Sequence, residues 1–273
     1  MLDTHPGAAL EYWFFKVNVG LLALLVDWIA RRKAGEYVVR VSIHSPDKRA
    51  VLFEKLVAPG MDERNYLRME HTAGQLGEIA WELDVDAGME RIAPQIFPAP
   101  QLRLFDMTLV SAPLATFTGW IQVGATRVEL QRTPGLLSHY WGRQLPRQWW
   151  WVSAHQFDRD DVVVECMALR SAVWGFPLRL PLGYLYLRVG SQRRLWIAPP
   201  VLTRISGSPQ EFEIEFRPIS AAPIRLKGQG RDYGDLGDGI VNTLVGNLEV
   251  WQGETLLARA AGTAGLERRA PDR

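Results

Sequence analysis

Three carboxylates sit inside apolar stretches of this 273-residue chain. Glu11 opens EYWFFKVNV, Asp27 interrupts LLALLVDWIARRK, and Glu165 lies within DVVVECMAL. Read with a two-residue period, Glu11 shares a face with Trp13, Phe15, Val17 and Val19. Burial among aromatic rings disfavours the charged form, so Glu11 there can hold a proton near neutral pH and act as a general acid. The plainer alternative places it at a strand end, where it reaches water. Asp27 has Arg31 and Arg32 close by in sequence to neutralise it.

The densest aromatic stretch, HYWGRQLPRQWWW, spans residues 139–151 and begins with His139. Trp141, Trp149, Trp150, Trp151 and Trp174 fall close together in a chain with 11 tryptophans. As a strand, WWWVSAHQF puts Trp149, Trp151, Ser153, His155 and Phe157 on one face, with Trp150, Val152 and Ala154 on the other. His155 is then either a core histidine bonded to backbone or a proton-transfer group. An aromatic cavity with one acid suits protonation of an alkene, because ring faces stabilise cations. The same cavity without an acid suits passive binding of an apolar ligand. Tryptophans that serve only as core are the third reading.

The elements that must position these residues read as strands. In EYVVRVSIHS, Tyr37, Val39, Val41 and Ile43 share a face. In WELDVD, Trp81, Leu83 and Val85 oppose three acids; in EFEIEFRP, Phe212, Ile214 and Phe216 oppose Glu211, Glu213, Glu215 and Arg217. VGAT (123–126), GSPQ (207–210) and WQGE (251–254) read as hairpin turns. LLALLVDWIARRK suits a helix or a strand buried on both faces, and its neighbours favour the strand. The expected fold is all-β, a sandwich or barrel with little helix. Pro134 and Gly135 suggest a division into residues 1–134 and 135–273, and the polar end ERRAPDR reads as frayed.

Composition narrows the function classes. The formal net charge is +1, so the chain lacks the basic footprint of nucleic-acid binding, despite Arg143 and Arg147 beside tryptophans. Cys166 is the only cysteine, which excludes an intramolecular disulfide. Phosphate-loop, dinucleotide, nucleophile-elbow and zinc-helix motifs are missing, and Asp232, Asp235 and Asp238 lack the spacing of a calcium loop. No cofactor and no metal is expected. MLDTHPGAAL lacks the basic start of a signal peptide, and the run around Asp27 is too short for a membrane span. The chain is read as cytoplasmic, with room for transient contact with a membrane surface.

Two segments resemble a known family. LEYWFFKVN (10–18) is similar to the E-G-W-[YF]-F-K-V element of tocopherol cyclases, and HYWGRQLPRQWWWVSAHQF (139–157) is similar to their W-G-x-x-x-P-x-x-W-x-W-V element. GWIQVGATRVELQRTPG (119–135) resembles the strand pair that introduces the latter. The related carotenoid 1,2-hydratases also place a histidine near a W-G pair, as His139 stands near Trp141 and Gly142. Tyr12 and Tyr140 depart from the glycine and asparagine of the family pattern. The resemblance implies two lipocalin-like β halves and an apolar, isoprenoid-type ligand. It implies Glu11 and His139 as catalytic candidates, and Trp13, Phe15, Trp141, Trp149, Trp151 and His155 as ligand contacts. Gly142 and Pro146 would shape a turn. The implied reaction is acid-initiated cyclisation or hydration of a prenyl alkene without a cofactor. A lipocalin-like carrier with no chemistry is the alternative.

Overall fold

The structure is a computed structural model that describes residues 4–45, 48–56, 65–68, 70–94, 107–143, 145–146, 148–172, 179–198, 202–219 and 221–269. Trp174 and Arg147 lie outside them. Contacts divide the chain into two units, one running to Ala93 and resuming from Met107 to Leu145, the other following from Pro146. Each is a curled antiparallel half-barrel, so the fold is all-β, with one short 3₁₀ turn at Arg32–Ala34. No helix among the described residues is long and apolar enough to cross a membrane.

In the first unit, β1 (Leu10–Val19), β2 (Leu22–Arg31), β3 (Glu36–His44) and β4 (Arg49–Leu56) form a meander. β5 (Tyr66–Leu67), β6 (His71–Leu76), β7 (Ile79–Asp86), β8 (Met107–Val123) and β9 (Thr126–Gly142) form a second one. β9 pairs back onto β1, which joins both meanders in one sheet. The alternation expected from sequence fills its core: Trp13, Phe15 and Val17 of β1, Val39, Val41 and Ile43 of β3, and Trp81, Leu83 and Val85 of β7. Trp28 of β2 joins them, its indole donating to the Asn65 carbonyl at 3.2 Å.

β2 is a strand buried on both faces, as its continuous apolar run suggested. The second face of the β1–β3 region is buried too and carries Lys16, Asp27 and Arg40. Asp27 therefore meets neither Arg31 nor Arg32: its Oδ2 accepts from Arg40 Nε at 2.8 Å across the β2–β3 register.

Pro134 and Gly135, where a boundary was expected, lie inside β9, and the change of unit comes after Leu145. Proline survives here because the strand is irregular, with register shifts against β8 on both sides of it. Gly135 is required by close approach: an added Cβ would lie 2.4 Å from the Lys16 carbonyl oxygen and 2.7 Å from the Phe117 ring.

The second unit repeats the plan. β10 (Gln148–Ala154), β11 (Val162–Ala172), β12 (Arg179–Val189) and β13 (Gln192–Ala198) form one meander. β14 (Leu202–Gly207), β15 (Glu211–Arg217), β16 (Ile224–Gln229), β17 (Gly234–Gly237), β18 (Ile240–Gln252) and β19 (Thr255–Arg269) follow. β19 pairs onto β10, closing this sheet as β9 closes the first. Glu267, Arg268 and Arg269, read as frayed, belong to β19 and pair with β10 and β18. Glu215, expected outward, is buried and ion-paired with Arg217.

Candidate active site

Antiparallel register assembles the site. Glu11 on β1 lies opposite Trp141 on β9, and Trp13 opposite His139. All four side chains project from one face, so Glu11 reaches His139 diagonally. Its Oε1 accepts a hydrogen bond from His139 Nε2 at 2.9 Å. Two residues past Ala30, the β2 partner of Glu11, Arg32 comes back from the end of β2 and ion-pairs with Oε2.

A fourth group arrives from a turn. His5-Pro6-Gly7-Ala8 closes with the Ala8 amide donating to the His5 carbonyl at 2.8 Å. Proline presets the dihedral that this turn needs at its second position. His5 is thereby folded onto the strand end, and its Nδ1 and backbone amide each donate to Glu11 Oε1 at 3.0 Å.

The rings form a stack around this carboxylate. Trp13 lies nearly parallel to His139, with centroids 5.0 Å apart. His5 stacks on Trp141 at 3.9 Å and 4°. Trp141 also tilts against His139 at 4.6 Å. Four aromatic or imidazole rings thus surround one buried negative charge.

The charge state of Glu11 differs from the sequence expectation. Burial alone would push its carboxyl upward, as anticipated. Hydrogen bonds from His139, His5 and Arg32 outweigh that penalty and hold the group below its ordinary value of 4.5. Glu11 is a fully buried carboxylate rather than a proton reservoir. A proton on Nε2 facing Glu11 leaves the lone pair of a neutral imidazole on Nδ1. That nitrogen makes no hydrogen bond among the described residues.

His139 faces a recess of about 160 Å³. Ala112, Leu137 and Trp141 provide apolar wall, and Ser111 and Ser138 provide hydroxyls joined to each other at 2.7 Å. An apolar cavity near 150 Å³ accommodates benzene, so the recess fits one ring or one prenyl unit rather than a long chain.

His5, Glu11 and His139 also bring possible metal-ligand atoms within 4.8 Å of one another. Arg32 already supplies the cation on that carboxylate, and both imidazoles donate to it. The arrangement suits proton handling better than a metal ion.

The structure brings together Glu11, His139, Trp13 and Trp141. Phe15 packs instead in the core against Trp28 and Phe117. Trp149, Trp151 and His155 belong to the second unit and are buried; Trp149 and Trp151 lie on the face of β10 opposite its core, where Trp149 Nε1 donates to Glu267 Oε1 at 2.8 Å. β10 ends at Ala154, and Phe157 turns to pack on the core with Trp150, so the alternation read through WWWVSAHQF stops before His155. Glu165 accepts a 2.8 Å hydrogen bond from Tyr184, whose phenol is held well above its ordinary range by burial and then by that carboxylate.

His5 and Arg32 escaped the sequence reading of the site. Strand periodicity says nothing about a residue in a turn, and Arg32 gave no sign of crossing to another strand's carboxylate.

No protein-family model matches the chain, and no curated protein matches it in sequence. Solved structures do match over nearly its full length. Kievitone hydratase from Nectria haematococca has a TM-score of 0.63 at 8% identity, covering 96% of this chain and 88% of that one. A protein assigned as AttH from Nitrosomonas europaea has 0.65 at 13%, covering 99% and 95%. CghA in complex with Sch210972 has 0.67 at 12%, covering 97% and 89%. The likeness is one of fold.

Proposed function

We propose that the first unit catalyses addition of an O–H group across a carbon–carbon double bond, as hydration or cyclisation, without a cofactor. The observation that carries this reading is the Glu11–His139 pair beside a recess of ring or prenyl size. His139 Nδ1 takes the proton from the attacking oxygen, which is water in a hydration and a substrate hydroxyl in a cyclisation. The C–O bond forms, and the same nitrogen returns the proton to the other alkene carbon. Glu11 fixes the ring through Nε2 and balances the imidazolium formed between these steps. Arg32 and His5 keep Glu11 ionised. The tocopherol cyclase-like and carotenoid hydratase-like motifs support an isoprenoid-type substrate, and the hydratase among the structural neighbours supports the reaction class.

The test begins with mass spectrometry of small molecules retained by the purified protein. It continues with incubation of the protein with a panel of prenylated phenols and terpenoid alkenes. Hydration gives a product one water heavier; cyclisation gives an isomer of unchanged mass. Turnover abolished in His139→Asn supports the reading. Tight retention of an alkene that is never converted assigns the chain to the carriers instead.

A further inference from the structure

The recess contains one cation that the reaction above leaves unused. Arg91 lines it beside His139 and Trp141. It is held in place by its neighbour: Ile92 and Ser111 exchange both backbone hydrogen bonds, at 2.8 and 2.9 Å. This bridge fixes the 87–93 segment against β8 at the level of the site. Among the described residues, Arg91 makes no ion pair or hydrogen bond of its own. Glu11, the carboxylate of the site, is fully buried and already holds His5, Arg32 and His139. Among the described residues, the wall presents a guanidinium and two imidazoles, and none of its lining residues is acidic.

A site of that polarity has no use for a plain hydrocarbon alone. Addition to an isolated alkene begins with its protonation and places positive charge on carbon, which Arg91 would oppose. Addition to an alkene conjugated to a carbonyl places negative charge on the carbonyl oxygen, which a guanidinium stabilises. We infer that Arg91 binds the substrate oxygen that becomes negative, and that the substrate is an alkene conjugated to a carbonyl or similarly polarised. The inference rests on the proposed function and refines its substrate class. In the step it implies, His139 Nδ1 removes the proton of the attacking O–H and the C–O bond forms at the β-carbon. The π electrons move onto the carbonyl oxygen facing Arg91, and the proton on His139 then returns to the α-carbon. Atoms and charge balance with water or an internal hydroxyl as the sole co-reactant.

The probe is 4-nitrophenol, a single ring whose ionised form absorbs visibly and mimics an enolate oxygen. The full chain is titrated with it across pH, and bound phenolate is read by absorbance. The expected result is preferential binding of phenolate by the unmutated protein, with the preference falling at least about ten-fold in Arg91→Met. Arg91→Lys should restore part of it. Arg91 is exposed and has no partner among the described residues, so Arg91→Met should keep the unmutated melting temperature. An unchanged preference in Arg91→Met overturns the inference and leaves the Glu11–His139 chemistry standing. Failure of the unmutated protein to bind the probe in either form overturns the recess as a substrate site, and the proposed function with it.

Discussion

Glu11 shows how a residue can be located correctly and still be assigned the wrong charge. The sequence left it between an aromatic face and a strand end in water, and the structure buries it beside Trp13. Its ionisation was not legible, because the three side chains that decide it come from residues 5, 32 and 139. A low-dielectric pocket raises a carboxyl only when donors are missing. The linkage follows from the sign of the shift. The folded state holds Glu11 below 4.5, so the unfolded chain binds the proton more readily as pH falls. Glu11 contributes stability that is complete above about 4.5 and is lost as pH falls through its folded value. Thermal melts of the unmutated protein and Glu11→Gln should therefore differ by a constant amount at neutral pH. The gap should narrow below pH 4.5. Glu11→Gln should also lower turnover by about 10² or more, since His139 loses the partner that fixes its ring.

At the scale of elements, β1 is two strands in one. Its odd positions lead from the site into the core, and its even positions face the other way and are buried as well. The sequence showed the alternation but could not show that both faces would be covered, Lys16 and Asn18 included. Burial pushes the Lys16 ammonium down to about 7 from 10.5. Below about 7 both states are protonated and the buried charge is a cost. Between about 7 and 10.5 the folded protein gives up the proton that the unfolded chain keeps, so this residue makes stability rise with pH. Lys16→Met should remove that slope and raise the melting temperature at neutral pH, as denaturation between pH 6 and 10 will show. Gly135 makes the converse point on β9. It looked like a break, yet it is a position where β1 and Phe117 leave no room for a side chain. Gly135→Val should cost about 1–3 kcal/mol by urea denaturation, and should loosen His139 by disturbing the β1–β9 pairing.

At the scale of the molecule, the all-β class was legible from strand periods and turn residues alone. VGAT, GSPQ and WQGE each join consecutive paired strands. The two-half plan was legible through the family resemblance and not through a repeat. In both units the first strand pairs with the last, β1 with β9 and β10 with β19, yet no internal repeat is visible in the sequence. Backbone pairing needs only alternation and turns, so the two halves can share a topology while their side chains diverge. Glu11 meets two histidines and an arginine, whereas Glu267 on β19 accepts from Trp149 and Asn242. The same divergence explains why HYWGRQLPRQWWW could not be read as one site. His139 and Trp141 close the first sheet, and Trp149, Trp150 and Trp151 open the second.

The central claim is that His139, held by Glu11, carries a proton from oxygen to carbon. It is tested most directly by running the reaction in deuterated water with a substrate found by the retention assay, and comparing the unmutated protein with His139→Asn. The account predicts one deuterium on the former alkene carbon with the unmutated protein. It predicts turnover reduced by about 10²–10⁴ in the variant while ligand retention is kept. Full turnover in His139→Asn would contradict it.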